Sequence, residues 1–289
     1  MVGFMTIVAI IEICSVGNTN QYDKYGGWNG LKSNPTGFFR TEKINDVWWI
    51  IDPDGYVFLS KGVNHIGWIA DNAPSLGYSP YGNVTKEKYG DINKWAEASI
   101  QRLWDWNFNT IGAWSSREIF NKKMPYTVIM DIGASAGSSW LKGSYPDVFS
   151  KSFRDVAEKR AKDICESSAD DPFLIGYFTD NELRWGADWR SAKTLFDDFL
   201  AMPEKSDGKQ ALVKMLMEMY GSIDKLNSAL QIKLNSFDDL LAISNLSIMQ
   251  SLSPPALEIK KIRSDFLKKV AEQYFMVCKD AIRKFDHNH

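Results

Sequence analysis

The stretch that most constrains this chain is Phe173-Leu174-Ile175-Gly176-Tyr177-Phe178-Thr179-Asp180-Asn181-Glu182. It follows the turn Ala169-Asp170-Asp171-Pro172. Seven mostly apolar and aromatic residues are succeeded by three polar side chains. A short uncharged run bounded by turn residues reads as a buried strand. Polar side chains crowded at the end of such a strand are costly unless they meet water, each other or a ligand. In a β/α barrel the C-terminal end of a strand is the active-site face. Glu182 is therefore the first candidate for chemistry, with Asn181 beside it as a hydrogen-bonding partner. The competing assignment makes Asp180 or Asn181 a helix cap and Glu182 a solvated first-turn carboxylate.

Composition narrows the function classes. The 289 residues suit one large domain or two small ones, and 44% hydrophobic with 24% charged residues is ordinary for a globular protein with a sizeable core. A formal charge of −2 argues against a dedicated nucleic-acid surface, which needs a clustered basic excess. Aromatics reach 13%, with eleven Trp, more than a core alone calls for; exposed indoles suit the C–H faces of sugar rings. Cys14, Cys165 and Cys278 form neither a metal pattern nor a disulfide framework. With three His, two of them in the last three residues, a His-based zinc site is not expected. No cofactor is implied. Residues 1–11 are apolar apart from Thr6, about the length of a signal-peptide core and too short for a membrane span. They read as a degraded or truncated export signal, hence a secreted or periplasmic protein, or else as a buried strand.

In chain order, Phe38-Phe39 leads into a strand that turns at Asn45-Asp46. Residues 47–51 return, and Pro53-Asp54-Gly55 is a strong turn signal. Tyr56 to Val63 reads as one strand ending at Asn64-His65. A polar loop over 71–90 precedes a helix over 92–106 with Ala96, Ile100, Leu103 and Trp104 on one face. Strands follow at 109–114, ending in Trp114, and at 126–131, ending in Asp131, separated by a short helix at 116–122. A loop holding Trp140 precedes a helix over 149–166, striped by Phe153, Val156, Ala157, Arg160, Ala161 and Ile164. Strands alternating with helices imply βαβ units and a parallel sheet. After Trp185 the alternation gives way to short helices at 188–200, 208–220, 222–230 and 236–243. Pro254-Pro255 then breaks the chain. A long helix over 257–285 follows, striped by Ile259, Ile262, Phe266, Val270, Tyr274, Cys278 and Ile282. Some 70 residues lie between strand four and that helix, far beyond a usual βα connection of about 2–6 residues. They are expected above the rim near strand four.

Asp52-Pro53-Asp54-Gly55 running into Leu59-Ser60-Lys61-Gly62-Val63-Asn64-His65 resembles the opening of the clan A glycoside hydrolases. Residues 175–182 are similar to their fourth-strand signature. The likeness is closest to glycoside hydrolase family 50, the β-agarases. It is carried by Tyr25-Gly26-Gly27-Trp28, Thr36-Gly37-Phe38-Phe39, Trp48-Trp49, and Asp180-Asn181-Glu182-Leu183 followed by Trp185-Gly186. It covers roughly residues 22–289. Asp-Asn-Glu alone also fits the family 42 β-galactosidases. The resemblance implies an α/β fold of the (β/α)8 barrel type and a polysaccharide substrate, with agarose foremost. Glu182 would be the acid/base, holding a proton near neutrality, and Asn181 would hold the sugar 2-hydroxyl. Asn64 and His65 end strand one and would face the cleft. Trp114 and Asp131 follow by the same reasoning. Trp185, like Trp189, would floor a subsite or else pack against the helical insertion.

Two departures stand out. Leu226-Asn227-Ser228-Ala229-Leu230 lacks the Trp usual in the family after Leu-Asn. More seriously, a retaining glycosidase needs a second carboxylate about 5 Å from the first, and the resemblance places it at the end of strand seven. Residues 22–289 read as the N-terminal half of a barrel, with Asp286-His287-Asn288-His289 as the turn toward a fifth strand. Glu258 and Glu272 lie on the last helix and are not credible nucleophiles. The family's accessory agarose-binding domain is not seen ahead of the barrel. The expectation is an incomplete catalytic domain, poorly soluble and inactive by itself, or else a non-catalytic sugar-binding barrel.

Overall fold

The computed structural model describes residues 21–69, 71–120, 122–246 and 254–289. The expected leader over residues 1–11, and Cys14, lie outside the described residues. Two four-stranded sheets and a helical layer make up the fold. The first sheet is antiparallel, in the order β1-β4-β3-β2, with β1 Trp28–Lys32, β2 Arg40–Ile44, β3 Val47–Ile51 and β4 Tyr56–Phe58. The β3–β4 turn forms because Asp52 accepts from Gly55 N through its carbonyl (3.0 Å) and from Tyr56 N through Oδ1 (2.9 Å). Gly55 sits at φ 96°, a conformation glycine adopts without a Cβ penalty.

The second sheet is parallel, in the order β5-β6-β7-β8, with β5 Gly62–Val63, β6 Thr110–Ile111, β7 Tyr126–Ile129 and β8 Leu174–Phe178. Tyr56 to Val63 is thus two short strands, not one. Leu59-Ser60-Lys61 passes between the sheets, held by Ser60 Oγ donating to Thr110 Oγ1 (2.9 Å) and Lys61 N donating to Asn109 Oδ1 (2.8 Å). The supposed loop 71–90 contains a helix, α1 Pro80–Tyr89, opened by Ser79 as N-cap with Pro80 in the first turn. The crossover helix α2 Ile92–Asp105 is capped by Asp91 and buries Ala96, Ile100 and Leu103. Residues 117–119 form a 3₁₀ turn instead of the longer helix expected there. After the single turn α3 Ile132–Ser135, α4 Lys151–Cys165 buries Phe153, Ala157, Ala161 and Ile164, the stripe its spacing implies.

β8 is not buried throughout, as its apolar run implied. Leu174 is fully buried and Phe178 is 57% exposed, because β7 is its one strand partner in the described sheet. An extra residue, Ile175, falls where the β7–β8 register slips between Tyr126↔Leu174 and Thr127↔Gly176. Ile175 and Phe173 pack on Tyr25, Phe39 and Phe58, so the antiparallel sheet closes the N-terminal end of the parallel one.

The helices that follow are α5 Leu195–Leu200, α6 Asp207–Tyr220, α7 Ile223–Leu230, α8 Asp239–Ala242 and α9 Pro254–Arg283. Pro254 and Pro255 open α9 instead of preceding it, which suits residues whose missing N–H falls in a first turn. These helices share one core with α4 and the end of β7: Met130, Phe153, Phe199, Leu216, Phe266 and Tyr274 belong to a single cluster. The segment after Trp185 is therefore continuous with the core and has none of its own. No helix among the described residues is long and apolar enough to cross a membrane.

One buried acid sets a pH dependence. Asp52 is fully buried, and Oδ2 of both Asp52 and Asp23 lacks a donor. A Cβ on Gly27 would stand 1.9 Å from Asp52 Oδ2, so only glycine fits there. Burial, then the charge of Asp23, push the Asp52 carboxyl up to about 7. An acid with a raised folded-state pKa contributes stability at pH below its unfolded value, and that contribution is lost as pH rises to about 7. Asp52→Asn is expected to remove this slope and to stabilise the chain at pH 8 by on the order of 2 kcal/mol. Urea midpoints at acid and alkaline pH check it; an unchanged slope would refute the assignment.

Candidate functional site

The parallel sheet delivers its C-terminal ends to one rim. Past β5 lie Asn64 and His65, past β6 Trp114, past β7 Asp131, and past β8 Asp180, Asn181 and Glu182. Four of these share a local geometry that sequence reading did not anticipate. His65, Trp114, Asp131 and Glu182 all have positive φ, at 57°, 58°, 52° and 48°. Such backbone is sparsely populated by residues other than glycine and costs of order 1 kcal/mol or more at each position. It persists here because neighbouring bonds over-determine it. His65 N donates to Ala113 O (3.0 Å), Gly112 N to Val63 O (2.8 Å), Met130 N to Phe178 O (2.8 Å) and Ile132 N to Thr179 O (3.0 Å). The end of β5 is thereby tied to that of β6, and the end of β7 to that of β8, before the chain turns away.

A cavity of about 340 Å³ opens on this rim, and its lining includes Trp114, Asp131, Trp140, Asp180, Asn181, Glu182, Arg184 and Arg190. Glu182 is exposed, and its Oε2 accepts from Trp140 Nε1 (2.7 Å). Asn181 is exposed beside it. Asp180 serves structure: its carboxylate accepts from Gly133 N (2.5 Å), Ala134 N (3.1 Å) and Tyr274 Oη (2.6 Å). Burial raises the pKa of Asp180 above the ordinary value, against those three bonds. Among the described residues no group of three or more His, Cys, Asp or Glu is placed to hold a metal ion.

The remaining sequence candidates divide. His65 does not line the cavity but lies against Trp114, ring centroids 5.0 Å apart. Asn64 folds over Gly112, whose Cβ, were there one, would meet Asn64 Oδ1 at 1.9 Å. Trp185 is absent from the cavity lining. It is stacked on Phe275 at 5.7 Å and set edge-on to Tyr145 and Tyr274, so it packs on α9 and the loop after β7 where the sequence alternative had the helical insertion. Glu258 accepts from Tyr220 Oη (2.5 Å), and Glu272 faces Lys268; both are on α9.

Sequence reading also passed over the two arginines that shape the rim. Arg184 is 2% exposed, ion-paired with Asp198, and donates to the carbonyls of Gly143 (2.6 Å), Gly186 (2.8 Å) and Lys193 (2.5 Å). It joins the loop after β7 to the loop after β8. Arg190 donates to Asp188 Oδ2 (2.6 Å through Nη2) and to the carbonyls of Glu182 (3.0 Å) and Trp140 (3.4 Å). A lone Arg in a polar segment gives no sequence signal of burial; only the fold shows which carbonyls it meets.

No family model matches the chain. It is 25% identical to β-agarase B of Vibrio sp. (strain JT0107) over 92% of this chain and 34% of the relative. It is 22% identical to β-agarase A of the same organism, over 61% of this chain and 23% of the relative. Among solved structures, an exo-β-agarase superposes with TM-score 0.78 at 22% identity, covering 94% of this chain and 48% of the other. PfGH50B does so with TM-score 0.78 at 25% identity, covering 93% and 47%. The chain thus spans about a third of the length of β-agarase B and about half of these solved chains. The fold is that of the α/β glycosidases these structures represent, and the chain is β-agarase-like.

Arg184→Met is expected to destabilise the chain by about 3–5 kcal/mol, because it leaves Asp198 without its cation and three carbonyls without donors. Urea unfolding measures this; a loss below about 1 kcal/mol would mean the two loops hold together without it.

Proposed function

We propose that this chain carries the acid/base half of a retaining glycoside hydrolase acting on agarose or a closely related galactan. The observation that carries the reading is an exposed glutamate, Glu182, at the C-terminal end of a parallel strand, on a cavity bordered by Trp114 and Trp140. Similarity to β-agarases supports the same substrate class. In the proposed reaction Glu182 protonates the glycosidic oxygen as the leaving group departs, then deprotonates the water that releases the sugar. Asn181 hydrogen-bonds a hydroxyl of the ring being cleaved. Trp114 and Asp131 make up the rest of the sugar-facing rim, with His65 acting through Trp114 and Asn64 set behind it against Gly112. Trp185 is left out of the proposed contacts because its ring is engaged in packing. A polymeric substrate that cannot enter a cell favours a secreted or periplasmic location.

The attacking carboxylate is the group in question. Asp180 has its oxygens engaged by Gly133, Ala134 and Tyr274, and Asp131 lies at the adjacent strand end. We assign the nucleophile to none of the described residues. In the proposed architecture β5–β8 are half the wall of a (β/α)8 barrel, whose further strands would supply it. The exposed apolar residues Leu59 and Phe178 fit an inner surface of such a barrel.

The test is reducing-sugar release from agarose by the purified 289 residues, beside Glu182→Gln. No meaningful turnover is expected from the chain alone. Turnover is expected when the remaining βα units of a related agarase are supplied in cis or in trans, and Glu182→Gln should abolish it. Robust turnover by the unassisted chain, lost in the variant, would show that a second carboxylate already lies within it. The rival reading, a non-catalytic sugar-binding barrel, draws on the same aromatic rim and predicts binding without turnover in every arm.

A further inference from the structure

The loops after β7 and β8 hold an aromatic pair that the proposed chemistry does not use. Trp140 and Trp189 meet at 5.5 Å with their rings inclined at 65°. Both are open to solvent, Trp140 at 49% and Trp189 at 73% exposed. Two exposed indoles in mutual contact make a contiguous apolar patch, the kind that marks a ligand site more than singly exposed rings do.

The pair is held in place. The Arg190 guanidinium lies 5.6 Å from the Trp189 ring centroid. The same group reaches the carbonyls of Trp140 and Glu182, and Asp188 neutralises it. One side chain thus meets the Trp189 ring, the Trp140 backbone and the backbone of the candidate acid. The Trp140 indole N–H also donates to the Glu182 carboxylate (2.7 Å), leaving the ring's apolar body free.

We propose that Trp140 and Trp189 form a pyranose-binding subsite immediately beside Glu182, and that Trp140 doubles as the positioning residue for the Glu182 carboxyl group. The inference rests on the glycoside hydrolase reading and adds where the neighbouring sugar sits. A pyranose presents a C–H face that packs on an indole, and the two inclined rings make a corner that receives one face and one edge. An indole held by Glu182 and another packed on Arg190 lose little freedom on binding, so the contact is preorganised. An indole N–H aimed at the carboxylate selects one orientation of the Glu182 side chain, which sets the direction in which its second oxygen meets the glycosidic bond.

The test uses the full chain labelled with fluorotryptophan, its fluorine NMR resonances assigned by single Trp→Phe substitutions. In the free protein, Glu182→Gln is expected to move the Trp140 resonance and leave that of the packed Trp185 in place. An unmoved Trp140 resonance would overturn the positioning role. Titration with a soluble agarose-derived oligosaccharide is expected to move the Trp140 and Trp189 resonances together. Trp189→Ala should weaken binding about tenfold, with the remaining resonances showing that the variant is folded. Binding that shifts Trp114 alone, with Trp189→Ala at parental affinity, would overturn the subsite and leave the acid/base assignment standing. No binding by the parent chain would overturn both.

Discussion

The bonds made by the Asp180 carboxylate hold the rim together. It bridges the end of β8 to the backbone N–H groups of Gly133 and Ala134, which follow the end of β7, and to the Tyr274 hydroxyl on α9. A charge buried among apolar groups is tolerable only with such partners. Gly133 is needed for it: a Cβ there would stand 2.9 Å from Asp180 Oδ2. With Asp180 drawn back into the sheet, the chain must turn sharply at Glu182, which takes φ 48° and projects its side chain onto the cavity. One acid of the Asp-Asn-Glu triplet thus has a structural task that leaves the other two free.

The same division of labour recurs around the rim. Backbone bonds between β5 and β6 and between β7 and β8 support the left-handed His65, Trp114 and Asp131, and the arginines satisfy carbonyls of the long loops, that of Glu182 among them. Arg184 works against Asp198 and three carbonyls; Arg190, its side chain also largely buried, works against Asp188 and beside the Trp140–Trp189 pair. The rim is therefore built from short, well-bonded segments, although the loops themselves contain little regular structure.

Strong periodicity was readable in the sequence. The stripes of α2, α4 and α9 are buried as their spacing requires, and the strand starting after Pro172 begins where the turn residues place it. Short-range rules failed where tertiary contacts decide. Tyr56 to Val63 looks uniform, yet Ser60 and Lys61 find partners on the β6 side, and the run divides between two sheets. The helix α1 was hidden by a Gly-, Ser- and Tyr-rich composition, despite the Ser79-Pro80 start signal. Asn64, Trp114, Asp131 and Glu182 lie just past strands that stop at Val63, Ile111, Ile129 and Phe178, so the strand expected over 109–114 is only Thr110–Ile111 and the apolar runs outlast the pairing. That Trp140 meets Glu182 across 42 residues of sequence had no local signal at all.

The central claim is that sugar binds on the C-terminal rim with its glycosidic oxygen facing Glu182. A crystal structure of the chain with an agarose-derived oligosaccharide tests it most directly. The account predicts a glycosidic oxygen within hydrogen-bond reach of the Glu182 carboxyl group, with the Asn181 amide on a hydroxyl of an adjoining ring. A sugar lodged instead in the groove lined by Tyr22, Trp28 and Trp49, on the antiparallel sheet, with the rim empty, would contradict it.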